Sequence, residues 1–252
     1  MNRMIAATAL CLAASPALAL NVCVEGAYPP FSQTAADGSI TGFDIDIANA
    51  VCGAMDESCT LVKVDWDGII PALLERKCDF IAASMSITPE RSQVIDFSAK
   101  VYLTPAMFVA PQDAGLVDTP EDMAGKVVGV QRGTIHQDFM EKVYPDTRLT
   151  LYGSQDEAFL DLVSGRVDAV MADSVVVEEG FLKTPDGAGF AFFGEPHYDP
   201  AIHGQGVGFG VRKEDAELRD RLSAGIEAIR ASGEYDEIAG KYFTFDVYGG
   251  PS

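Results

Sequence analysis

Short apolar segments alternate along the chain with amphipathic segments, and turns rich in glycine, proline or polar residues separate them. Buried strands of parallel sheets are near-continuous apolar runs, whereas helices repeat apolar residues every three or four positions. Strands that alternate with helices in this way predict an α/β fold with parallel sheets and right-handed crossovers. The predicted strands lie at 22–25, 60–64, 80–83, 107–110, 126–130 and 169–172, and the predicted helices near 47–55, 66–74, 135–144, 154–164, 214–232 and 234–242.

The stretch 78–91 has the pattern of a buried strand, a tight polar turn and the start of a helix for which Thr88 is the N-cap. Ser84 and Ser86 are therefore predicted to present free backbone N–H groups and hydroxyls at a sheet edge, which suits an anion. Arg91 follows, and its planar guanidinium matches a carboxylate through two hydrogen bonds. The alternative is a surface arginine beside a serine-rich loop.

The sequence contains one internal similarity. A ten-residue segment that ends at Ser84 aligns without a gap on a segment that ends at Asp173, and Asp79 then matches Asp168. Each segment has a helix end, a turn, an aspartate and a strand with a polar residue at its carboxyl end. If the match is structural, two α/β lobes each present a polar group where α/β sheets bind ligands.

The first residues have the composition of a secretory signal, with a basic start, a mostly apolar core and the small-residue pattern Ala17-Leu18-Ala19. The apolar core is too short to span a bilayer. We therefore expect residues 1–19 to be a signal peptide, cleaved after Ala19, and the mature chain to be a soluble exported protein. A buried N-terminal helix is the alternative.

Charge and cysteine content narrow the function classes. The formal charge of −20 opposes binding to nucleic acid or to anionic membranes, and it favours cationic solutes. Export permits disulfides among Cys23, Cys52, Cys59 and Cys78, for which three pairings exist. No histidine lies near these cysteines in sequence, which opposes a zinc site, and we expect neither a metal nor a cofactor.

Seven motifs together identify a resemblance. The motifs are Tyr28-Pro29-Pro30-Phe31, Gly42-Phe43-Asp44-Ile45-Asp46, Trp66-Asp67-Gly68-Ile69-Ile70-Pro71, Ser84-Met85-Ser86-Ile87-Thr88-Pro89-Glu90-Arg91, Gly129-Val130-Gln131-Arg132-Gly133-Thr134, Gly165-Arg166-Val167-Asp168-Ala169 and Arg212-Lys213-Glu214-Asp215. In this order they resemble those of the polar amino acid-binding proteins of bacterial ABC importers (solute-binding protein family 3), most of all the lysine/arginine/ornithine-, histidine- and opine-binding branch. The likeness covers essentially the whole mature chain.

The resemblance implies a two-lobed periplasmic binding protein of type II, in which each lobe is a mostly parallel sheet flanked by helices. Two hinge crossings would join lobe one, at 20–104 and 204–252, to lobe two, at 106–197. The ligand would lie in the cleft, and closure of the lobes would be a two-state signal that a membrane permease can read.

Roles for individual residues also follow from the resemblance. Arg91, with the backbone N–H groups of Ser86 and Ile135, would bind the α-carboxylate of an amino acid. Asp173 would bind the α-ammonium, with help from Ser84.

The side chain of the ligand would lie between Tyr28 and Trp66, since aromatic faces suit aliphatic stems and guanidinium planes. Glu25 lies where relatives with basic ligands carry an acid that meets the distal cation. Core packing of the two aromatic residues and surface exposure of Glu25 and Asp173 are the alternatives.

The sequence departs from some relatives at four positions. Ala83 replaces a serine, and Gln131, Ile135 and His136 replace leucine, threonine and glutamine at one wall of lobe two. Because Ile135 contributes a backbone N–H, its replacement spares that contact. We expect His136 to be an exposed residue at a helix start rather than a ligand contact.

The expected function is therefore capture of a free basic amino acid, arginine or ornithine first, with lysine and histidine as further candidates, for delivery to an ABC permease. We expect a monomer that is not an enzyme and binds no nucleic acid. An opine-binding protein is the alternative within the class. A periplasmic dehydratase on the same fold is a second alternative, but it would need a positioned acid or base that the sequence does not display. A sensor domain is a third.

Disulfide pairing also follows from the resemblance. Relatives with the same spacing carry a disulfide at Cys52 and Cys59. The strands at Cys23 and Cys78 should be adjacent in this fold, so we predict a second bridge between these two residues. Two buried free thiols are the alternative.

Overall fold

The computed structural model describes residues 19–249, and every structural statement below concerns this part of the chain. Within it the backbone forms thirteen strands and nine α-helices. The strands are β1 (Ala19–Val24), β2 (Ala27–Tyr28), β3 (Ser32–Thr34), β4 (Ile40–Thr41), β5 (Ser58–Lys63), β6 (Phe80–Ile81), β7 (Asp96–Tyr102), β8 (Ala106–Pro111), β9 (Val127–Gln131), β10 (Arg148–Tyr152), β11 (Ala169–Asp173), β12 (Phe190–His197) and β13 (Val207–Val211). The helices are α1 (Phe43–Ala54), α2 (Trp66–Leu74), α3 (Pro120–Met123), α4 (Ile135–Val143), α5 (Gln155–Val163), α6 (Ser174–Val177), α7 (Pro200–His203), α8 (Ala216–Ser232) and α9 (Glu234–Ala239).

Two five-stranded sheets have the same arrangement. Sheet one has the strand order β5-β1-β6-β13-β7 and sheet two has the order β10-β9-β11-β8-β12. The first three strands of each sheet are parallel, and the fourth strand, β13 or β8, is antiparallel to both of its neighbours. The predicted parallel sheets are thus correct for the first three strands of each sheet, and one reversed strand makes each sheet mixed. A small antiparallel sheet, β2-β3-β4, follows β1.

Helices cover both faces of the sheets, which explains the continuous apolar strands. Along β11, Ala169 and Met171 pack into one hydrophobic cluster, whereas Val170 and Ala172 pack into another. Because successive side chains of a strand point to opposite faces, alternate residues reach different clusters, and every position of this strand must be apolar.

The chain passes between the two sheets twice, from β7 to β8 and from β12 to β13. These are the two crossings that the resemblance implies. The lobe limits that it implies remain a prediction. None of the helices in the described part of the chain has the length and hydropathy that a bilayer crossing requires.

The internal similarity is structural. Asp79 precedes β6 and accepts a hydrogen bond of 2.8 Å from the backbone N–H of Asn21, which lies in β1. Asp168 precedes β11 and accepts an equivalent bond of 2.8 Å from Val127, at the start of β9. Since β6 and β11 hold the same position in their sheets, the two segments are equivalent in the fold.

Some predicted element limits need correction. After Pro89 the chain forms only a short 3₁₀ turn, Arg91–Gln93, rather than an α-helix. The Thr88 hydroxyl nevertheless accepts a hydrogen bond of 3.2 Å from the Arg91 N–H, so the capping role is retained. At the start of α5, Ser154 and Glu157 form a capping box.

Both predicted disulfides are present. Cys23, in β1, is bonded to Cys78, which precedes the adjacent strand β6, and their Cα atoms are 5.6 Å apart. Cys52, in α1, is bonded to Cys59, in β5, with Cα atoms 6.0 Å apart. The chain turns between the latter two residues, where Asp56 has a φ of 58°. Of the predicted signal peptide, all but Ala19 lies outside the described residues, and Ala19 is the first residue of β1.

Candidate functional site

One cavity lies where the carboxyl ends of β1 and β6 in sheet one face those of β9 and β11 in sheet two. This is the position at which open α/β sheets bind ligands. All ten residues that the sequence predicts for the ligand site line it, together with Thr134 and His136. The ten are Glu25, Tyr28, Trp66, Ala83, Ser84, Ser86, Arg91, Gln131, Ile135 and Asp173.

Arg91 and two backbone N–H groups make one side of the cavity suitable for a carboxylate. The guanidinium donates to the carbonyl of Ser86 at 3.1 Å and to that of Gly133 at 3.3 Å. Because a guanidinium has five N–H donors, others remain to bind a ligand carboxylate. Burial lowers the pKa of Arg91 to about 10, so the group stays charged at neutral pH. The N–H of Ile135 lies at the first position of α4, where a helix leaves its N–H groups unpaired.

Asp173 supplies a carboxylate at the end of β11. Its Oδ2 accepts from the Tyr28 hydroxyl at 2.6 Å, and its Oδ1 accepts from the Thr104 hydroxyl at 2.8 Å. Burial acts to raise the pKa of Asp173, but interactions with His136 and these hydroxyls outweigh it and lower the pKa below the usual value. Asp173 is therefore ionised at neutral pH and can accept a cation.

The prediction that His136 is exposed is wrong. It is 2% exposed, it lines the cavity, and its Nε2 lies 3.7 Å from Asp173 Oδ2. A polar residue at a helix start is usually exposed, but the start of this helix lines the cavity and lies beside Asp173 at the end of β11. The sequence carries no local signal for that placement, since it depends on the packing of two distant segments.

Ser84 also differs from its prediction, because its backbone N–H is not free. The N–H donates to Asp44 Oδ2 at 2.7 Å, and the Ser84 hydroxyl donates to the same oxygen at 3.0 Å. The hydroxyl accepts in turn from Tyr102 at 2.8 Å. Burial raises the pKa of Asp44 to about 6, and the nearby hydroxyls of Tyr102 and Ser84 oppose that rise. Since the Ser84 proton is directed at Asp44, its second lone pair remains able to accept from a ligand ammonium.

Asp44, which orients Ser84, is not among the residues predicted for the site. The signal was available, since Asp44 stands in the second of the seven motifs. Thr104, which bonds Asp173, lies in the first crossing and has no comparable signal.

Glu25 and Gln131 meet inside the cavity from different sheets. Glu25 follows β1 and is 5% exposed, and its Oε1 accepts from Gln131 Nε2 at 2.6 Å. The pKa of Glu25 is raised to about 7, mainly by burial and also by the charges of Asp156, Asp65 and Asp67, while the bond from Gln131 opposes that rise. The cavity therefore contains a second carboxylate, which a nearby cation would hold in the ionised form.

The turn 131–133 of sheet two makes further contacts with sheet one. Trp66 is half-buried, and its Nε1 donates to the Gly133 carbonyl at 3.3 Å. The Arg91 guanidinium lies over the Trp66 ring, 5.2 Å from its centroid. Outside the cavity, Arg132 pairs with Asp67 at the start of α2. The two lobes are thus held against each other around the cavity.

Histidines and acids elsewhere in the described chain form no group of three or more that could hold a metal ion. His197 and His203 lie at the second crossing, and the centroid of each ring is 4.9 Å from that of Phe139. Asp199 donates its N–H to His203 at 2.9 Å, and burial with the neighbouring histidines lowers the pKa of His203 to about 4. These two side chains therefore stabilise the crossing and do not enter the cavity.

Comparisons with known proteins agree with this geometry. The chain is 49% identical over 228 residues to an L-arginine-binding protein of Pseudomonas aeruginosa, covering 90% of this chain and 88% of the relative. A solved periplasmic binding protein of Salmonella typhimurium, described as having high arginine specificity, matches with a TM-score of 0.84 and 34% identity, covering 90% of this chain and all of that one.

A solved binding protein from Silicibacter pomeroyi, of the His/Glu/Gln/Arg/opine family and in complex with lysine, matches with a TM-score of 0.81 and 31% identity, covering 90% of this chain and 98% of that one. The family model of the bacterial extracellular solute-binding proteins, family 3, matches residues 20–245. The chain belongs to this family of solute-binding proteins.

Proposed function

We propose that this chain is the periplasmic substrate-binding component of an amino acid ABC importer and binds a basic amino acid in the cavity between its lobes. Arginine and ornithine are the first candidates, and lysine and histidine are the next. One observation carries the proposal: Arg91, Asp173 and Glu25 line a single cavity. One cation and two carboxylates complement an α-carboxylate, an α-ammonium and one further cation.

The roles of the cavity residues follow from this complementarity. Arg91 and the N–H groups of Ser86 and Ile135 bind the α-carboxylate, since charge-assisted bonds from a guanidinium fork suit that group. Asp173 accepts the α-ammonium, with the Ser84 hydroxyl as a second acceptor. At the other end Glu25 meets the distal cation. Trp66 and Tyr28 flank the stem, and Ala83 leaves room beside it.

Closure of the lobes completes the site. In our proposal, 20–104 with 204–252 forms one lobe and 106–197 forms the other, so carboxylate recognition by Arg91 and ammonium recognition by Asp173 come from different lobes. A ligand that touches both stabilises the closed form by its differential affinity. The closed monomer would then be recognised by a permease, after export and cleavage at Ala19.

The relatives support a basic ligand. Two of the matched proteins are described as arginine-binding or arginine-specific, and the third is in complex with lysine. An opine is the alternative. Burial raises the pKa of Glu25 to about 7, and a protonated Glu25 could donate to the additional carboxylate of an opine. The polar groups of the cavity all serve binding in this account, and no reaction is proposed.

Calorimetric titration tests the proposal. Protein freed of bound solute by unfolding and refolding would be titrated with arginine, ornithine, lysine, histidine, an opine such as octopine, and citrulline, which has the shape of arginine without its charge. We expect one-to-one binding of arginine or ornithine, and much weaker binding of citrulline. Binding of octopine alone would replace the basic amino acid by the opine, and no binding by any of these solutes would contradict both.

A further inference from the structure

The Gln131 side chain has a fixed orientation. It lies at the end of β9, and its Nε2 donates to Glu25 Oε1 at 2.6 Å and to the carbonyl of Gly153 at 3.3 Å. A backbone carbonyl can only accept, so the amide nitrogen must face Gly153 and the amide oxygen must face away from it. Gln131 is 2% exposed, so bulk water has little access to either bond.

The amide oxygen of Gln131 is the remaining polar atom of this side chain. Within the described chain, both hydrogen bonds of the side chain use Nε2. Gln131 lines the cavity beside Glu25. The distal end of the cavity therefore offers two different acceptors, a carboxylate from sheet one and an amide oxygen from sheet two.

We propose that Gln131 makes this cavity selective for a guanidinium over an ammonium group, by holding Glu25 in place across the cleft and by adding its own oxygen as a second acceptor. The proposal rests on the function proposed above. A guanidinium spreads five N–H donors over a rigid plane and can reach two separated acceptors at once. The ammonium of ornithine or lysine is a compact point charge, for which a single carboxylate suffices.

The electrostatics of Glu25 support the same role. Burial and the charge of nearby aspartates raise the pKa of Glu25, and the hydrogen bond from Gln131 is the interaction that lowers it. An apolar residue at position 131 would therefore leave Glu25 protonated to a higher pH. Gln131 thus favours the ionised Glu25 that a cationic ligand requires.

Replacement by methionine tests the inference, because Gln131→Met keeps the length of the side chain and removes both polar atoms. Affinities for arginine, ornithine and lysine would be measured by calorimetry in the wild type, in Gln131→Met and in Gln131→Leu. A hydrogen bond to a charged group contributes about tenfold or more to affinity. We expect arginine to lose about tenfold more affinity than ornithine or lysine in both variants.

The pH dependence gives a second readout that loss of packing alone would not change. As the pH is lowered, Glu25 becomes protonated and arginine affinity falls. This fall should begin at a higher pH in Gln131→Met than in the wild type. Gln112→Met, at an exposed glutamine outside the cavity, is the matched control and should change neither quantity.

Two outcomes separate this inference from the proposed function. If the wild type binds no basic amino acid, the proposed function fails and this inference with it. If the wild type binds arginine, but Gln131→Met and Gln131→Leu weaken all three ligands equally and leave the pH profile in place, only the selectivity role of Gln131 is overturned. Thermal unfolding of both variants would identify a change in folding.

Discussion

The Tyr28 hydroxyl donates a hydrogen bond of 2.6 Å to Asp173 Oδ2, and the two residues lie 145 positions apart, next to different sheets. Burial and the negative charge of Asp173 raise the pKa of Tyr28 well above its usual value, so Tyr28 remains a donor at any physiological pH. The acceptor proposed for the ligand ammonium is therefore placed by a residue of another sheet, the small sheet that contains β2.

Asp173→Asn should weaken binding of every amino acid, whatever its side chain. Truncation of one partner of a buried charge pair costs about 2–5 kcal/mol, which corresponds to tens- to thousands-fold in affinity. Calorimetry with arginine and ornithine measures the loss. Agmatine, which lacks the α-carboxylate, and N-acetylarginine, which lacks the α-ammonium, separate the contributions of these two groups in the wild type. Tight binding of N-acetylarginine would remove Asp173 from its proposed role.

Arg91→Ala should cause a loss of similar size, since it removes the cation that meets the α-carboxylate. Arg91→Lys should recover only part of the affinity, because an ammonium cannot form the bidentate pair. Arg76→Ala is the matched control, at an exposed arginine that pairs with Glu214 outside the cavity. Near wild-type affinity in Arg91→Ala would show that the carboxylate binds elsewhere.

Glu25→Gln should stabilise the ligand-free protein at high pH and not at low pH. The pKa of Glu25 is about 7 in the folded protein and 4.5 in its usual state, so the unfolded chain loses its proton first as the pH rises. The free energy of unfolding should therefore fall between pH 4.5 and 7 by up to about 3 kcal/mol, and remain constant above that range.

Denaturant unfolding of the wild type and of Glu25→Gln at pH 4 and pH 8 measures this effect. The variant should be more stable at pH 8 only, and an exposed control, Glu227→Gln, should follow the wild type. The same variant should weaken arginine far more than citrulline. A stability difference that is equal at both pH values would show that the charge of Glu25 has no such cost.

The bridge between Cys23 and Cys78 should stabilise lobe one without contributing to ligand affinity. It joins residues 55 positions apart, and loops of that size are worth about 2–4 kcal/mol of stability. The double variant Cys23→Ser/Cys78→Ser should lose about that much in denaturant unfolding. Mass spectrometry of the unreduced, unfolded protein provides the direct check, since alkylation of either cysteine without reductant would contradict the bridge.

Much of the fold can be predicted from the sequence, because strands that are buried on both faces of a sheet appear as continuous apolar runs. The apolar strand at β11 and its aspartate Asp168 predict both the strand and its equivalence to β6. The reversed strands β8 and β13 could not be predicted in the same way, since their direction depends on the path of the two crossings. Apolar runs have the same appearance in parallel and antiparallel strands.

The site residues also differ in whether the local sequence indicates them. Arg91 and Asp173 follow strand ends and turns, a pattern that predicts polar groups at a sheet edge. The resemblance then implies their roles. His136 and Thr104 could not be predicted, because each meets Asp173 only after distant segments have packed together. For Ser84 the sequence predicts a contact that is not available, since the N–H that was expected to be free donates to Asp44.

A crystal structure of the chain in complex with L-arginine tests the central claim most directly. We predict the α-carboxylate within hydrogen-bonding distance of Arg91 and of the Ser86 and Ile135 N–H groups, and the α-ammonium at Asp173. The guanidinium should lie at Glu25. Arginine bound in the reverse direction, with its carboxylate at the Glu25 end, or bound outside this cavity, would contradict the account.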